Sequence, residues 1–285
     1  MRKAFKFLIG FVLFVIMLIS VLGVFVLFSF IFENQLQLPL IPTRNEVLVI
    51  PIKGEITSQP CKTSLFYGKI ECAYVKDIKE TLKKAEESPS VKAVILEINS
   101  GGGEVIASRE LMEAIRDFKK PIIAKIDEIA TSGAYYVASA ADEIVADKHS
   151  IIGGIGVIMV IHHYYGLYEK LGINVTVIKS GKEKDIGSPY RPMTEEERKE
   201  LKEMIDSIYE DLLLDISRNR NMDLDYLRDI ADGSIYLGKD AKDLGLVDEI
   251  GNMETAINAS MRLANLSKKP EIVRAIKKES IFDFL

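Results

Sequence analysis

The chain has 285 residues, of which 48% are hydrophobic and 28% charged, and its net charge is −5. That length holds one large domain or two small ones. The acidic balance excludes a nucleic-acid footprint, because the paired lysines (Lys83-Lys84, Lys119-Lys120, Lys268-Lys269) read as solvated faces or helix ends.

In chain order, the first element is an uncharged run over residues 7–32. It is long enough to cross a bilayer as a tilted helix. Arg2, Lys3 and Lys6 precede it and Glu33 follows it. The positive-inside rule then puts residues 1–6 in the cytoplasm. A linker (33–45), the main domain (46–266) and a tail (267–285) follow outside the cell membrane. A cleaved signal peptide is the competing reading. Its apolar core would be shorter, and no alanine lies between Ala4 and Ala73 to form a cleavage site.

Strand and helix patterns alternate after the linker. Residues 46–50 are β-like, and 74–87 have helical spacing through Val75, Ile78, Leu82 and Ala85. Residues 91–98 predict a strand and 105–118 a helix. Residues 121–126 predict a strand, 132–141 a short apolar helix, and 143–146 and 151–157 short strands. Residues 174–178 are strand-like. Thr194 and Glu197 have capping-box spacing at the head of a long helix, with Leu201, Ile205, Ile208, Leu212 and Ile216 on one face. Helices over 224–230 and 253–264 close the domain. This alternation indicates an α/β fold with a largely parallel sheet.

Cys61 and Cys72 are the only cysteines. Outside the membrane they could form a disulfide, and two free thiols are the alternative. No histidine or further cysteine lies close enough in sequence for a zinc site.

Three segments carry chemistry. Ser132 stands between a β-type run and a helix start, in Ala130-Thr131-Ser132-Gly133-Ala134-Tyr135-Tyr136. A serine there is either a plain N-cap or an acyl-transfer nucleophile served by nearby backbone N–H groups. Asn99-Ser100-Gly101-Gly102-Gly103 can form a concave anion site or a simple glycine turn. It is not a phosphate loop, because no Lys-Ser or Lys-Thr follows. Lys179, Lys182 and Lys184 lie in a Gly/Ser/Pro loop ending in Ser188-Pro189. A serine nucleophile needs a base. Among the three histidines, His149 lies in a turn and His162-His163 follow an apolar run. A Ser-His pair stays open on the residues alone. The adjacent histidines would point apart on a regular element, which disfavours a metal.

Together the three segments resemble the signal peptide peptidase A family of membrane-bound serine proteases with a Ser-Lys dyad. The resemblance runs from about residue 46 to 264. It implies a spiral α/β fold like that of the Clp protease and crotonases, preceded by one transmembrane helix, and no cofactor. It assigns Ser132 as nucleophile and Lys184 as base, with Gly102, Gly133 and Gly103 around the oxyanion. It implies peptide substrates such as signal peptides, and a homo-oligomer in which adjacent subunits complete each site. A lysine base must be neutral, and with a reference pKa near 10.4 it needs a dry, closed site. Asp185 would oppose that, so its side chain is expected to point elsewhere.

Two positions depart from the family pattern. Gly101 stands where many members have proline. Gly154 stands where many have a serine whose hydroxyl holds the lysine, leaving Thr131 and Ser180 as substitutes. Two other classes therefore stay open: a catalytically silent membrane scaffold, and an acyl-CoA enzyme on the same fold.

Overall fold

A computed structural model describes residues 15–25, 44–61, 63–64, 68–69 and 71–275. Residues 15–25 form helix α1 with exposed side chains. No described helix is long and apolar enough to cross a membrane. The rest of the expected anchor, residues 1–6, most of the linker and the end of the tail lie outside the described residues.

Residues from Asn45 onward form a separate compact unit. It opens with β1 (Glu46–Lys53), β2 (Glu55–Thr57), the short strands β3 (Thr63–Ser64) and β4 (Gly68–Lys69), and β5 (Cys72–Tyr74). Then come α2 (Val75–Glu87), β6 (Val91–Ser100), α3 (Val105–Arg116), β7 (Ile122–Thr131), α4 (Gly133–Ser139), β8 (Glu143–Ala146) and β9 (Ile151–Gly153). The remainder is α5 (Tyr165–Lys170), α6 (Glu195–Arg220), α7 (Leu224–Ile230), β10 (Ile235–Leu237), α8 (Gly238–Asp243), β11 (Glu249–Ile250), α9 (Met253–Leu263) and β12 (Glu271–Arg274).

The main sheet runs β10-β9-β7-β6-β1-β12, with β8 beside β7 and β11 beside β8. Among the described residues, β9–β10 is the one antiparallel pair of this sheet. Parallel strands are covered on both faces, so their side chains alternate between two cores. Val94, Leu96 and Ile98 of β6 join α2, α3 and α4 in the larger core. Ala93 and Ile95 face the smaller one, which Ala256, Ile257 and Ala259 of α9 cover. Cys61 and Cys72 are joined by a disulfide. It closes a loop beside the parallel pair of β2 and β5.

Several boundaries differ from the sequence reading. β7 runs on to Thr131, the residue before the candidate nucleophile. Only Ile151–Gly153 of the 151–157 run is strand, because Gly153 and Gly154 take positive φ and turn the chain out of the sheet. Residues 174–178 are not a strand: they are exposed and pair with nothing in the described sheets. Residues 271–274, assigned to the tail, form β12 and pair with Glu46 to Val49 of β1. In α6 the capping box is present, but Leu201, Ile205 and Ile208 are only half-buried; full burial begins at Leu212.

Candidate active site

β7 and α4 meet at Ser132. The serine has φ 54° and ψ −129°, a region that suits glycine and costs other residues about 1–3 kcal/mol. The surrounding bonds hold it there. Ser132 N–H donates to Gly153 O at 2.9 Å, and its carbonyl accepts from Tyr136 N–H at 3.0 Å. Because the turn is sharp, the side chain faces outward from the sheet end rather than into the core. Ser132 lines a cavity of about 320 Å³ with Gly103, Ser108, Gly133, Gly156 and the apolar side chains Val105, Ile106, Tyr136, Val157, Ile208 and Leu212. Arg109 and Asp211 supply its charged edge. Buried Tyr136 donates its hydroxyl to Asp215, and burial, with Asp215 second, pushes its pKa upward. It is a wall residue held protonated, not a base.

The glycine loop packs against this turn. Gly102 has φ +105°, and a Cβ on it would lie 2.8 Å from Gly133 N and 2.9 Å from Ser132 Cβ. A Cβ on Gly103 would overlap the Ile56 backbone, at 2.0 Å from its carbonyl oxygen. Both positions therefore demand glycine. Ile56 clamps the loop by donating to Gly102 O and accepting from Glu104 N–H, each at 2.9 Å. The Glu104 carboxylate then accepts from Ser58 N–H, Ser58 Oγ and Thr57 Oγ1, and the Ser58 bonds lead in holding its pKa low.

The N–H of Gly102 is already used: it donates to Ser100 Oγ at 3.1 Å, and Ser100 donates in turn to Gly54 O. The N–H groups of Gly103 and Gly133 have no acceptor among the described residues. They lie close together, since a Cβ on Gly133 would be 3.4 Å from Gly103 N. Sequence spacing could not rank the three glycines. The ranking depends on where one serine hydroxyl, Ser100, turns.

Lys184 is elsewhere. It is exposed in a turn and is not among the residues lining the Ser132 cavity. The Asp185 carboxylate is engaged by Lys179 Nζ and by the Arg191 guanidinium. Arg191, with Lys179 second, holds the Asp185 carboxyl far below its ordinary range. Arg191 also grips Glu197 in the first turn of α6. The sequence reading missed this clamp, because its residues follow no helical or strand period.

Of the substitutes for the missing serine at position 154, Thr131 donates to Gly101 O at 3.3 Å and Ser180 is exposed. A Cβ on Gly154 would sit 3.1 Å from Thr131 Cβ and 3.4 Å from Ser132 N, so this position lies directly beside the nucleophile turn. No histidine lines the cavity. His149 is exposed beside Asp147, and His162 and His163 are exposed on the segment after residue 157.

A family model described as peptidase family S49 matches residues 114–267. The chain is 52% identical to a candidate protease of Methanocaldococcus jannaschii over 67% of its own length and 62% of the relative's. It is 40% identical to a candidate signal peptide peptidase of Enterococcus faecium, over 62% of this chain and 53% of that one. It is 34% identical to the chloroplastic serine protease SPPA of Arabidopsis thaliana, over 68% and 29%. The matched part of the chain thus spans less than two thirds of the length of each of these relatives.

Proposed function

The chain belongs to peptidase family S49, whose model covers more than half of it, and from that premise we propose that it is a membrane-anchored Ser-Lys endopeptidase. The observation that carries the reading is Ser132, held in a strained turn at an apolar cavity beside two unengaged backbone N–H groups. The strand and helix order also supports the crotonase-like spiral. Residues 7–32 form the anchor, and the disulfide supports a domain in an oxidising compartment outside the membrane.

In the proposed cycle, Lys184 Nζ takes the Ser132 proton as Oγ bonds to the substrate carbonyl carbon. The N–H groups of Gly103 and Gly133 hold the oxyanion. Gly102 shapes the turn that presents them. The C–N bond then breaks as the ammonium of Lys184 returns its proton to the leaving amine. Water attacks the acyl-enzyme and restores Ser132. The apolar cavity suits apolar peptides, among them signal-peptide remnants.

The base is delivered by a neighbouring copy of the chain. Two features favour this. Lys184 lies outside the Ser132 cavity of its own chain. The segment that leads to it exposes Ile158 (86%), Val160 (66%) and Ile178 (95%), an apolar surface typical of an interface. Covering that surface would also exclude the water that keeps a lysine charged.

The test is casein or fluorogenic-peptide hydrolysis by the detergent-solubilised chain. Ser132→Ala and Lys184→Ala should each lower turnover by about 10³-fold or more without unfolding. Mixing the two variants under subunit exchange should restore part of the activity. A mixture that stays at background would reject the shared site.

A further inference from the structure

Ser108 sits on α3, one turn from its start, with 2% of its surface exposed. Its Oγ is a buried polar atom with no hydrogen-bond partner among the described residues. Buried hydroxyls are normally paired, and an unpaired one destabilises the free chain. A serine in a helix can usually donate to the carbonyl one turn back. Here Glu104 O accepts only the Ser108 backbone N–H, at 2.9 Å. An alanine would carry no unsatisfied group, so hydrogen bonding within the described chain gives no reason for the hydroxyl.

The surroundings give one. Ser108 lines the same cavity as Ser132 and Gly133. A Cβ on Gly133 would meet Ser108 Oγ at 2.2 Å and Gly103 N at 3.4 Å. The absence of a side chain at 133 therefore leaves the Ser108 hydroxyl on the flank of Gly133 that also carries the Gly103 N–H. Resting on the reading of Ser132 as nucleophile, we infer that Ser108 donates a further hydrogen bond to the substrate's reacting carbonyl oxygen. That oxygen is the acceptor the hydroxyl lacks in the free chain. The bond strengthens as negative charge develops, so it acts on turnover more than on ground-state binding.

The experiment compares wild type with Ser108→Ala, Ser108→Thr and Ser132→Ala as full-length solubilised chains, using a fluorogenic apolar peptide and a peptide aldehyde. Ser108→Ala should lose about 10- to 100-fold in kcat with KM within twofold. Its melting temperature should not fall, because the lost group had no partner. The aldehyde, whose adduct carries the tetrahedral oxygen, should weaken by the same factor. Ser108→Thr, which keeps the hydroxyl, should recover most of the loss. Full kcat in Ser108→Ala beside a dead Ser132→Ala overturns the inference and leaves the protease reading standing. A fall in melting temperature with no recovery in Ser108→Thr makes the residue a packing element and also overturns it. An active Ser132→Ala removes the nucleophile reading and this inference with it.

Discussion

The two halves of the proposed dyad are built in different ways. Ser132 lies where β7, β9 and α4 converge, and the bonds to Gly153 and Tyr136 hold its backbone in place. The residues around it, Ala130, Ala134 and Tyr135, are completely buried. Lys184 lies in a run of turns whose preceding segment, residues 171–182, is exposed throughout. Its own loop is held by charge pairs among Lys179, Asp185, Arg191 and Glu197 rather than by an apolar core. A site whose nucleophile is finished within one chain and whose base is presented outward is a site that assembly can switch on. On the proposed reading, an isolated chain has the nucleophile turn shaped and Lys184 outside the cavity that Ser132 lines.

The most forceful way to break this contrast is to charge the outward-facing surface. Ile158→Asp with Ile178→Asp alters two exposed side chains, so each chain should fold with an unchanged melting temperature. In an oligomer the same changes bury unpaired carboxylates. Light scattering should show a smaller particle, and hydrolysis should fall by about 100-fold or more. An unchanged particle mass would show that this surface is not the interface.

How much of this was legible in the sequence follows the same divide. β6 and β7 were readable as short, nearly continuous apolar runs and α3 by its 3.6-residue period, and all three pack within the chain. Residues 174–178, Asn-Val-Thr-Val-Ile, have strand composition but find no strand to pair with inside the described chain. Composition records what a segment could pair with, and it does not record whether the fold brings a strand beside it. β12 was missed for the opposite reason: four residues after Pro270 give too short a pattern, and pairing with β1 decides their state. At the site, the serine, the glycines and the lysine were legible as motif positions. The positive φ of Ser132, the capture of Gly102 N–H by Ser100 and the unpaired hydroxyl of Ser108 were not, since each arises from residues brought together by the fold.

A smaller effect sharpens the nucleophile side. The disulfide ties Cys61 to Cys72, β5 pairs with β2, and Ile56 of β2 clamps the backbone at Gly102 and Glu104. Replacing both cysteines by serine should cost about 2–3 kcal/mol, the usual value for a short loop. It should also loosen the clamp and lower kcat by about three- to tenfold. Particle mass should not change, because the lysine segment is untouched. A double-serine variant with full kcat would separate the disulfide from the oxyanion loop.

The smallest effect concerns the lysine side. Arg191 and then Lys179 depress the Asp185 pKa, and Arg191 and then the Thr194 N–H bring that of Glu197 to about 2. Carboxylates with depressed folded pKa values stabilise the fold above their unfolded values, near 4, and lose that contribution as pH falls. The clamp should therefore hold across neutral pH and release only in acid. In wild type, pepsin cleavage within residues 179–191 should accelerate as pH drops from about 4 toward 2, while the sheet core resists. Asp185→Asn removes the anion outright, so trypsin should cut this loop a few-fold faster at pH 7, and hydrolysis should fall a few-fold. Its pH 7 cleavage rate should not depend on Ser132, which lies outside this clamp. Equal trypsin rates in wild type and Asp185→Asn would mean that the loop is held by something other than charge. The contrast between a packed nucleophile and a charge-held base would then fail on its second half.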